Sequence, residues 1–252
     1  MKPNVLILRA PGTSCDLETS YAFEASGAST ERIHINRILE DASILDRFQI
    51  MCFPGGFSYG DDIAAGRVLA TKVRGQLFDS ICQFRDAGKL ILGIGNGFQV
   101  LIKSGVIVAD DDQGAPVTLT RNKSGVFTGC WARLAVKSDK CVFLKNVKEM
   151  YLPIAHAEGR FMARNDAVLD SLDAQGRLVL RYVDGDKASG SARDVAGVCD
   201  ETGRVFGLMP HPERHIDKTQ HPNWTRHQNE PGFENRVGDG LVVFKNAVEY
   251  FA

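Results

Sequence analysis

The chain has 252 residues, with 30 Lys and Arg against 31 Asp and Glu and a formal charge of −1. Its composition, 44% hydrophobic and 24% charged, builds a sizeable core beneath a wet surface and excludes disordered, collagen-like and coiled-coil classes. So neutral a balance leaves no electrostatic footprint for nucleic acid or an anionic membrane.

Length admits one large α/β domain or two smaller ones. Six scattered cysteines, at 15, 52, 82, 130, 141 and 199, contain no CxxC pair, and read as reduced thiols of a cytoplasmic protein. No targeting pattern precedes the first apolar run, and no run approaches the roughly 18 residues of a membrane span.

Val5 to Leu8 is a continuous apolar run, as expected of a strand buried on both faces. A helix follows, with Leu17, Tyr21 and Ala25 on one stripe, Asp16 and Glu18 in its first turn and Gly27 as its stop. Ile33 to Ile35 and Ile50 to Phe53 are the next strand candidates. Leu69, Val73, Leu77, Ile81 and Phe84 predict one long amphipathic helix or two abutting ones, ended by Gly88. Leu90 to Ile94 is the fourth strand. This alternation implies a parallel sheet with helices on both faces. Beyond about residue 106 the expected strands are Val117–Thr120, Val126–Val136, Tyr151–Ile154, Leu178–Val183, Val195–Cys199 and Val205–Met209. Residues 200–203 suit a hairpin turn. Residues 217–240 read as a long polar loop, and Leu241, Phe244, Val248 and Phe251 as a closing helix. With no internal repeat, residues 1–252 are expected to form one domain, its parallel sheet supplemented by antiparallel strands.

Three segments carry the chemistry. In Leu90-Ile-Leu-Gly-Ile-Gly-Asn-Gly-Phe-Gln-Val100, an apolar strand enters Gly93-x-Gly95-x-Gly97 and then a helix, the frame of a nucleophile elbow. A side chain at its centre would point at a helix N-terminus, where free N–H groups and the dipole favour a thiolate and an oxyanion. The central residue is Gly95, which has no side chain. A phosphate cradle or a merely structural turn also fits, although the spacing is neither GxGxxG nor GxxxxGK[ST]. The second segment is Phe53-Pro-Gly-Gly-Phe-Ser-Tyr-Gly-Asp-Asp62. Its Gly55-Gly56 pair permits close backbone approach to a ligand, Asp61 and Asp62 suit helix N-caps, and an ordinary loop is the alternative. Both loops should face one crevice at the strands' carboxyl ends. The third is Gly207-Leu-Met-Pro-His-Pro-Glu-Arg214. Here Pro212 predicts an extended segment with His211 and Glu213 on one face, a base beside an orienting carboxylate. A metal set of His211, His215, His221 and His227 lacks helical i,i+4 register because of the prolines.

In combination these segments resemble the class I glutamine amidotransferases, and within them the glutaminase subunits of phosphoribosylformylglycinamidine synthase. Val5-Leu-Ile-Leu-Arg-Ala-Pro-Gly-Thr-Ser-Cys-Asp16, the PGGFSYGDD and GNGFQ strings, Ile154-Ala-His-Ala-Glu-Gly-Arg-Phe161 and the MPHPER string occur in that family's order over essentially the whole chain. The resemblance implies hydrolysis of glutamine to glutamate and ammonia. The ammonia would pass to a large, separate synthetase subunit, with a small adaptor subunit possible in the assembly. It implies no cofactor on this chain; ATP and Mg belong to the synthetase. Carried over by position, His211 is the general base and Glu213 its orienting carboxylate. Backbone N–H groups at Gly56, Phe57 and Asn96 form the oxyanion hole. Gly55, Gln99, His156 and Glu158 line the glutamine pocket.

One position departs from the family. Where the resemblance implies a nucleophilic cysteine, this chain has Gly95, so no thioester can form there and the chain as written is expected to be inactive. Cys15 and Cys52 lie near the expected crevice, but neither occupies an elbow. A glycine pays little for an elbow's backbone conformation, so the pocket is expected to persist. Two other readings stay open. One is a non-catalytic glutamine-binding or scaffold subunit of the same synthetase; the other is a peptidase-like or deglycase-like relative with a similar elbow.

Overall fold

A computed structural model describes residues 2–183 and 189–252. In chain order the first half holds β1 (Asn4–Arg9), α1 (Asp16–Ala25), β2 (Ser29–His34), α2 (Ile35–Glu40), β3 (Ile50–Phe53), α3 (Arg67–Lys72), α4 (Phe78–Asp86), β4 (Leu90–Ile94) and α5 (Asn96–Lys103). The second half holds β5 (Val117–Thr120), β6 (Thr128–Val136), β7 (Glu149–His156), β8 (Arg160–Ala163), α6 (Asp166–Ala174), β9 (Leu180–Tyr182), β10 (Val195–Cys199), β11 (Val205–Leu208), α7 (Trp224–His227) and α8 (Leu241–Glu249).

The main sheet has nine strands in the order β2-β1-β3-β4-β11-β10-β9-β6-β7, and β5 pairs with β8 in a separate ribbon. From β2 to β11 every neighbour is parallel; from β11 to β7 every neighbour is antiparallel. The parallel half is the expected α/β sheet, and the antiparallel strands extend it. Residues 200–203 form the expected turn between β10 and β11, with Asp200 Oδ1 accepting from Val205 N–H at 3.1 Å.

Helices cover both faces because strands buried on two sides need two apolar layers. On β1, Leu6 and Leu8 join the layer of Leu69, Val73, Leu77, Ile81 and Phe84. Val5 and Ile7 join the opposite layer, which contains Phe23 of α1 and Phe244 of α8. The predicted 69–84 stripe is therefore a core face, on α3 and α4 with a π-turn at Val73–Leu77 between them.

Several local expectations are corrected. Helix α1 forms, but Leu17 and Tyr21 are 62% and 64% exposed, and Thr19, Ala22 and Phe23 face inward instead. Ile35 begins α2 rather than ending a strand. Neither Asp61 nor Asp62 is the N-cap of α3; Gly66 is, at φ +70°, and Asp61 Oδ1 accepts its N–H at 3.1 Å. Residues 217–240 are not a plain loop: they contain α7 and two short 3-10 turns, Lys218–Gln220 and Phe233–Asn235. Strand β8 and helix α6 were not expected at all.

Candidate active site

Four adjacent parallel strands, β1, β3, β4 and β11, release their chains on one side of the sheet. The loops that follow carry Cys15, Gly55-Gly56, Gly95-Asn96 and His211. The crevice rule for parallel sheets thus gathers residues from both ends of the sequence.

Gly95 sits at the turn from β4 into α5 with φ 52° and ψ −109°, a conformation costly for any residue with a side chain. Its N–H donates to Leu208 O at 2.8 Å, which fixes the turn against β11. The turn is tight because Gly97 lies against β3: a Cβ there would meet Phe53 O at 1.8 Å. A Cβ on Gly95 would lie 3.0 Å from both Cε1 and Nε2 of His211. The elbow geometry is complete except for the side chain at its centre.

His211 and Glu213 are both buried, and His211 Nδ1 lies 2.6 Å from Glu213 Oε1. They meet across a 3-10 turn at Pro212–Arg214, not along the extended segment expected from Pro212. The His211 N–H donates to Pro153 O at 2.8 Å, anchoring the turn to β7. Burial alone would lower the imidazole pKa, but the Glu213 charge, with hydrogen bonding to Cys15 and Glu213, raises it to about 10.

A cavity of about 340 Å³ opens beside the pair. Gly56, Phe57, Asn96, Gln99, His156, Glu158 and His211 line it, so most of the expected site residues share one space. Gly55 adjoins it: a Cβ on this residue would lie 2.7 Å from His211 Cε1 and 3.2 Å from Cys15 Sγ. Of the expected oxyanion donors, Phe57 is corrected, because its N–H is taken up by Gly12 O at 2.9 Å. Asn96 is the first residue of α5, where a backbone N–H has no intrahelical acceptor, and Gly56 holds φ +130° on the other side of the cavity.

Several pocket side chains serve mainly to hold the wall. Asn96 Oδ1 accepts from Ser58 Oγ at 2.6 Å, while Asn96 Nδ2 donates to Asp61 Oδ1 and Gln99 Oε1 at 2.9 and 3.0 Å. Gln99 Nε2 donates to Glu158 O at 2.8 Å, and Glu158 Oε2 accepts from Ala65 N–H at 3.0 Å. Lys103 Nζ lies 3.5 Å from Glu158; burial lowers its pKa and the Glu158 charge opposes that. The Asn122 amide donates through Nδ2 to His156 O and accepts through Oδ1 from Gly159 N–H, so His156 Nδ1, 3.0 Å from Oδ1, is the protonated ring nitrogen.

Cys15, expected only to lie near the crevice, and Arg214, for which sequence reasoning assigned no role, both line the cavity. Arg214 Nη2 donates to Cys15 Sγ at 3.2 Å, and one donor atom each from Cys15, His211 and Glu213 lie within 4.8 Å of one another. Cys52, by contrast, is fully buried in β3; burial and then the Glu213 charge push its thiol well above its ordinary value. The four-histidine metal set is not assembled. His211 pairs with Glu213, whereas His215, His221 and His227 stack in a row, with ring centroids 5.8 and 5.5 Å apart, beside Trp131 and Tyr151.

Residues 2–251 match the family model of the CobB/CobQ-like glutamine amidotransferase domain. The chain is 46% identical to the phosphoribosylformylglycinamidine synthase subunit PurQ of Dehalococcoides mccartyi, covering 99% of this chain and 98% of that one. It is 37% identical to the PurQ subunit of Methanococcus maripaludis strain S2, over 99% and 97% of the two chains. Among solved structures, a chain of PurLQS from Thermotoga maritima superposes with a TM-score of 0.77 at 32% identity, each chain covered completely. Another glutamine amidotransferase from Thermotoga maritima shares the fold, with a TM-score of 0.55 at 16% identity over 99% of this chain and 91% of that one. From the match along its whole length and the fold it shares with PurLQS, the chain belongs to the PurQ family of class I glutamine amidotransferases.

Proposed function

We propose that this chain is the glutamine-binding, ammonia-supplying subunit of a phosphoribosylformylglycinamidine synthase in purine biosynthesis. A separate synthetase subunit, which holds ATP and Mg, consumes the ammonia, with a small adaptor subunit in the assembly; this chain carries no cofactor and works in the cytoplasm. The observation that carries the reading is the His211–Glu213 pair, with the His211 ring 3.0 Å from where a side chain on residue 95 would begin. Glutamine occupies the cavity with its carboxamide between Gly56 and Asn96, whose N–H groups receive the oxyanion. Glu213 orients the His211 ring, and the imidazolium gives its proton to the departing ammonia. Gln99, His156 and Glu158 shape the pocket around the amino acid end of glutamine. With no side chain on Gly95 the elbow forms no thioester, and the chain as written is inactive.

The same glycine favours a second reading, a non-catalytic subunit that binds glutamine or acts as a scaffold for the synthetase. Ammonia release from glutamine, measured with the synthetase present, separates the two. Gly95→Cys is expected to raise turnover by at least about tenfold, because the elbow places a thiol against His211 and the backbone donors. No gain, together with no protection of the chain by glutamine against thermal unfolding, overturns the glutaminase reading.

A further inference from the structure

We infer that Asp61 recognises the α-ammonium group of glutamine, which makes it a specificity-determining residue of the cavity. The inference rests on the glutaminase reading above and deepens it, by naming the side chain that selects a free amino acid.

The first argument is how the loop presents this carboxylate. Tyr59 and Asp61 hold φ of 54° and 53° on either side of Gly60, itself at 71°. Left-handed backbone at residues with side chains persists only where surrounding contacts fix it. Here Asp61 Oδ1 accepts from Gly66 N–H at 3.1 Å and from Asn96 Nδ2 at 2.9 Å. One oxygen is thereby anchored to the wall, while Oδ2 has no hydrogen-bond partner among the described residues. Asp61 lines the glutamine cavity.

Charge is the second argument. Apart from His211, the charged residues lining the cavity are Asp61, Glu158 and Arg214. Glu158 faces the Lys103 ammonium at 3.5 Å, and Arg214 pairs with Glu18 at 3.3 Å. Asp61 has no such ion pair among the described residues. Burial raises its pKa, the hydrogen bonds from Gly66 and Asn96 lower it, and the Glu158 charge and then Lys103 act in opposite senses. A carboxylate partly withdrawn from water without a paired cation is destabilised, and a bound cation relieves it. Glutamine and glutamate each carry one cation, the α-ammonium.

The third argument is placement. Asn96 Nδ2, which holds Asp61, also donates to Gln99 Oε1 at 3.0 Å, and Gln99 Nε2 donates to Glu158 O at 2.8 Å. Asp61 thus joins the wall around the amino acid end of glutamine, while the backbone N–H of Asn96 serves the carboxamide end. The two ends of the substrate are told apart by a fixed negative charge and by backbone donors. An amide without a free α-amine leaves Asp61 uncompensated, and is rejected for that reason.

Because Gly95 leaves glutamine uncleaved, equilibrium binding reads the assignment directly. Titration calorimetry of the full chain, with its synthetase present, compares glutamine with glutaramate, which is glutamine without its α-amino group. The unmodified chain is expected to bind glutamine at least about tenfold more tightly. Asp61→Asn keeps an acceptor for Gly66 and Asn96 but removes the charge. It is expected to weaken glutamine to near the level of glutaramate and to leave glutaramate unchanged. Asp62→Asn removes an exposed neighbouring carboxylate that does not line the cavity, and is expected to change neither. Equal weakening of both ligands in Asp61→Asn reduces the residue to a support of the wall and overturns the inference. Equal binding of the two ligands by the unmodified chain overturns it too, as does the same loss in Asp62→Asn. In those three cases glutamine still binds and the glutaminase reading stands. Absence of glutamine binding by the unmodified chain overturns both.

Discussion

Glu213 sets the charge of the ring beside Gly95. Its carboxylate and the nearby Cys15 outweigh burial and raise the His211 pKa from the ordinary 6.5 to about 10. Because the folded value lies above the unfolded one, the stability contributed is complete below about pH 6.5 and is lost as pH rises through 10. In an NMR titration the His211 Cε1–H resonance is expected to move with a midpoint far above 6.5. In Glu213→Gln the midpoint falls, since burial then acts with less opposition, and the loss of stability between pH 7 and 10 shrinks with it. A midpoint near 6.5 in the unmodified chain would contradict the pairing. His211 and Glu213 were legible because they stand two residues apart in a short proline-flanked segment. The contact between Cys15 and Arg214 was not, because it joins the loop after β1 to the loop after β11, and no local pattern records it. Phe57 was misassigned for a related reason: the Gly12 carbonyl that takes its N–H belongs to a distant loop.

At the scale of elements, α1 separates hydrophobic pattern from buried face. Leu17 and Tyr21 form an apolar stripe in sequence but face outward, while Phe23 packs edge-on against Phe244 of α8 at 4.9 Å. Chemical denaturation should therefore find Leu17→Ser within about 0.5 kcal/mol of the unmodified chain and Phe23→Ala destabilised by about 3–5 kcal/mol. The reverse order would restore the sequence-based stripe. The true face was hidden because a polar residue takes part in it: Thr19 Oγ1 donates to Cys15 O at 2.6 Å and so enters the core without an unpaired hydroxyl. The strands were easier, since runs such as Val5–Leu8 and Leu90–Ile94 are apolar on both faces, as central parallel strands require. Strand β8 is short and, among the described residues, pairs with β5 alone, so it carries little pattern. Helix α6 did carry a signal, an Asn165 cap accepting from Val168 N–H at 3.0 Å ahead of buried Leu169 and Leu172.

Across the whole molecule, the antiparallel end of the sheet is joined to residues 217–240 through rings. Trp131 of β6 contacts Tyr151, His215 and His221, and His221 continues to His227. Burial, and then the neighbouring His215 and His227, lower the His221 pKa, so the stack is assembled with that ring neutral and is opposed by protonation. With Trp224→Phe leaving Trp131 as the reporter, fluorescence is expected to change between pH 7 and 5 with a midpoint below 6.5. His221→Gln should flatten the change, and an unaltered profile in that variant would remove His221 from the effect. The other half of the sheet has a temporal consequence. Strand β4 pairs with β11, Ile91 opposite Val205, so its neighbour is made only after most of the intervening chain. During synthesis on the ribosome, the β1–β3–β4 unit waits with one long apolar edge uncovered, a site for mispairing between nascent chains. The last strand to arrive closes that edge and delivers His211 to the cavity in the same movement, so the pocket is completed and the edge protected from aggregation at one moment.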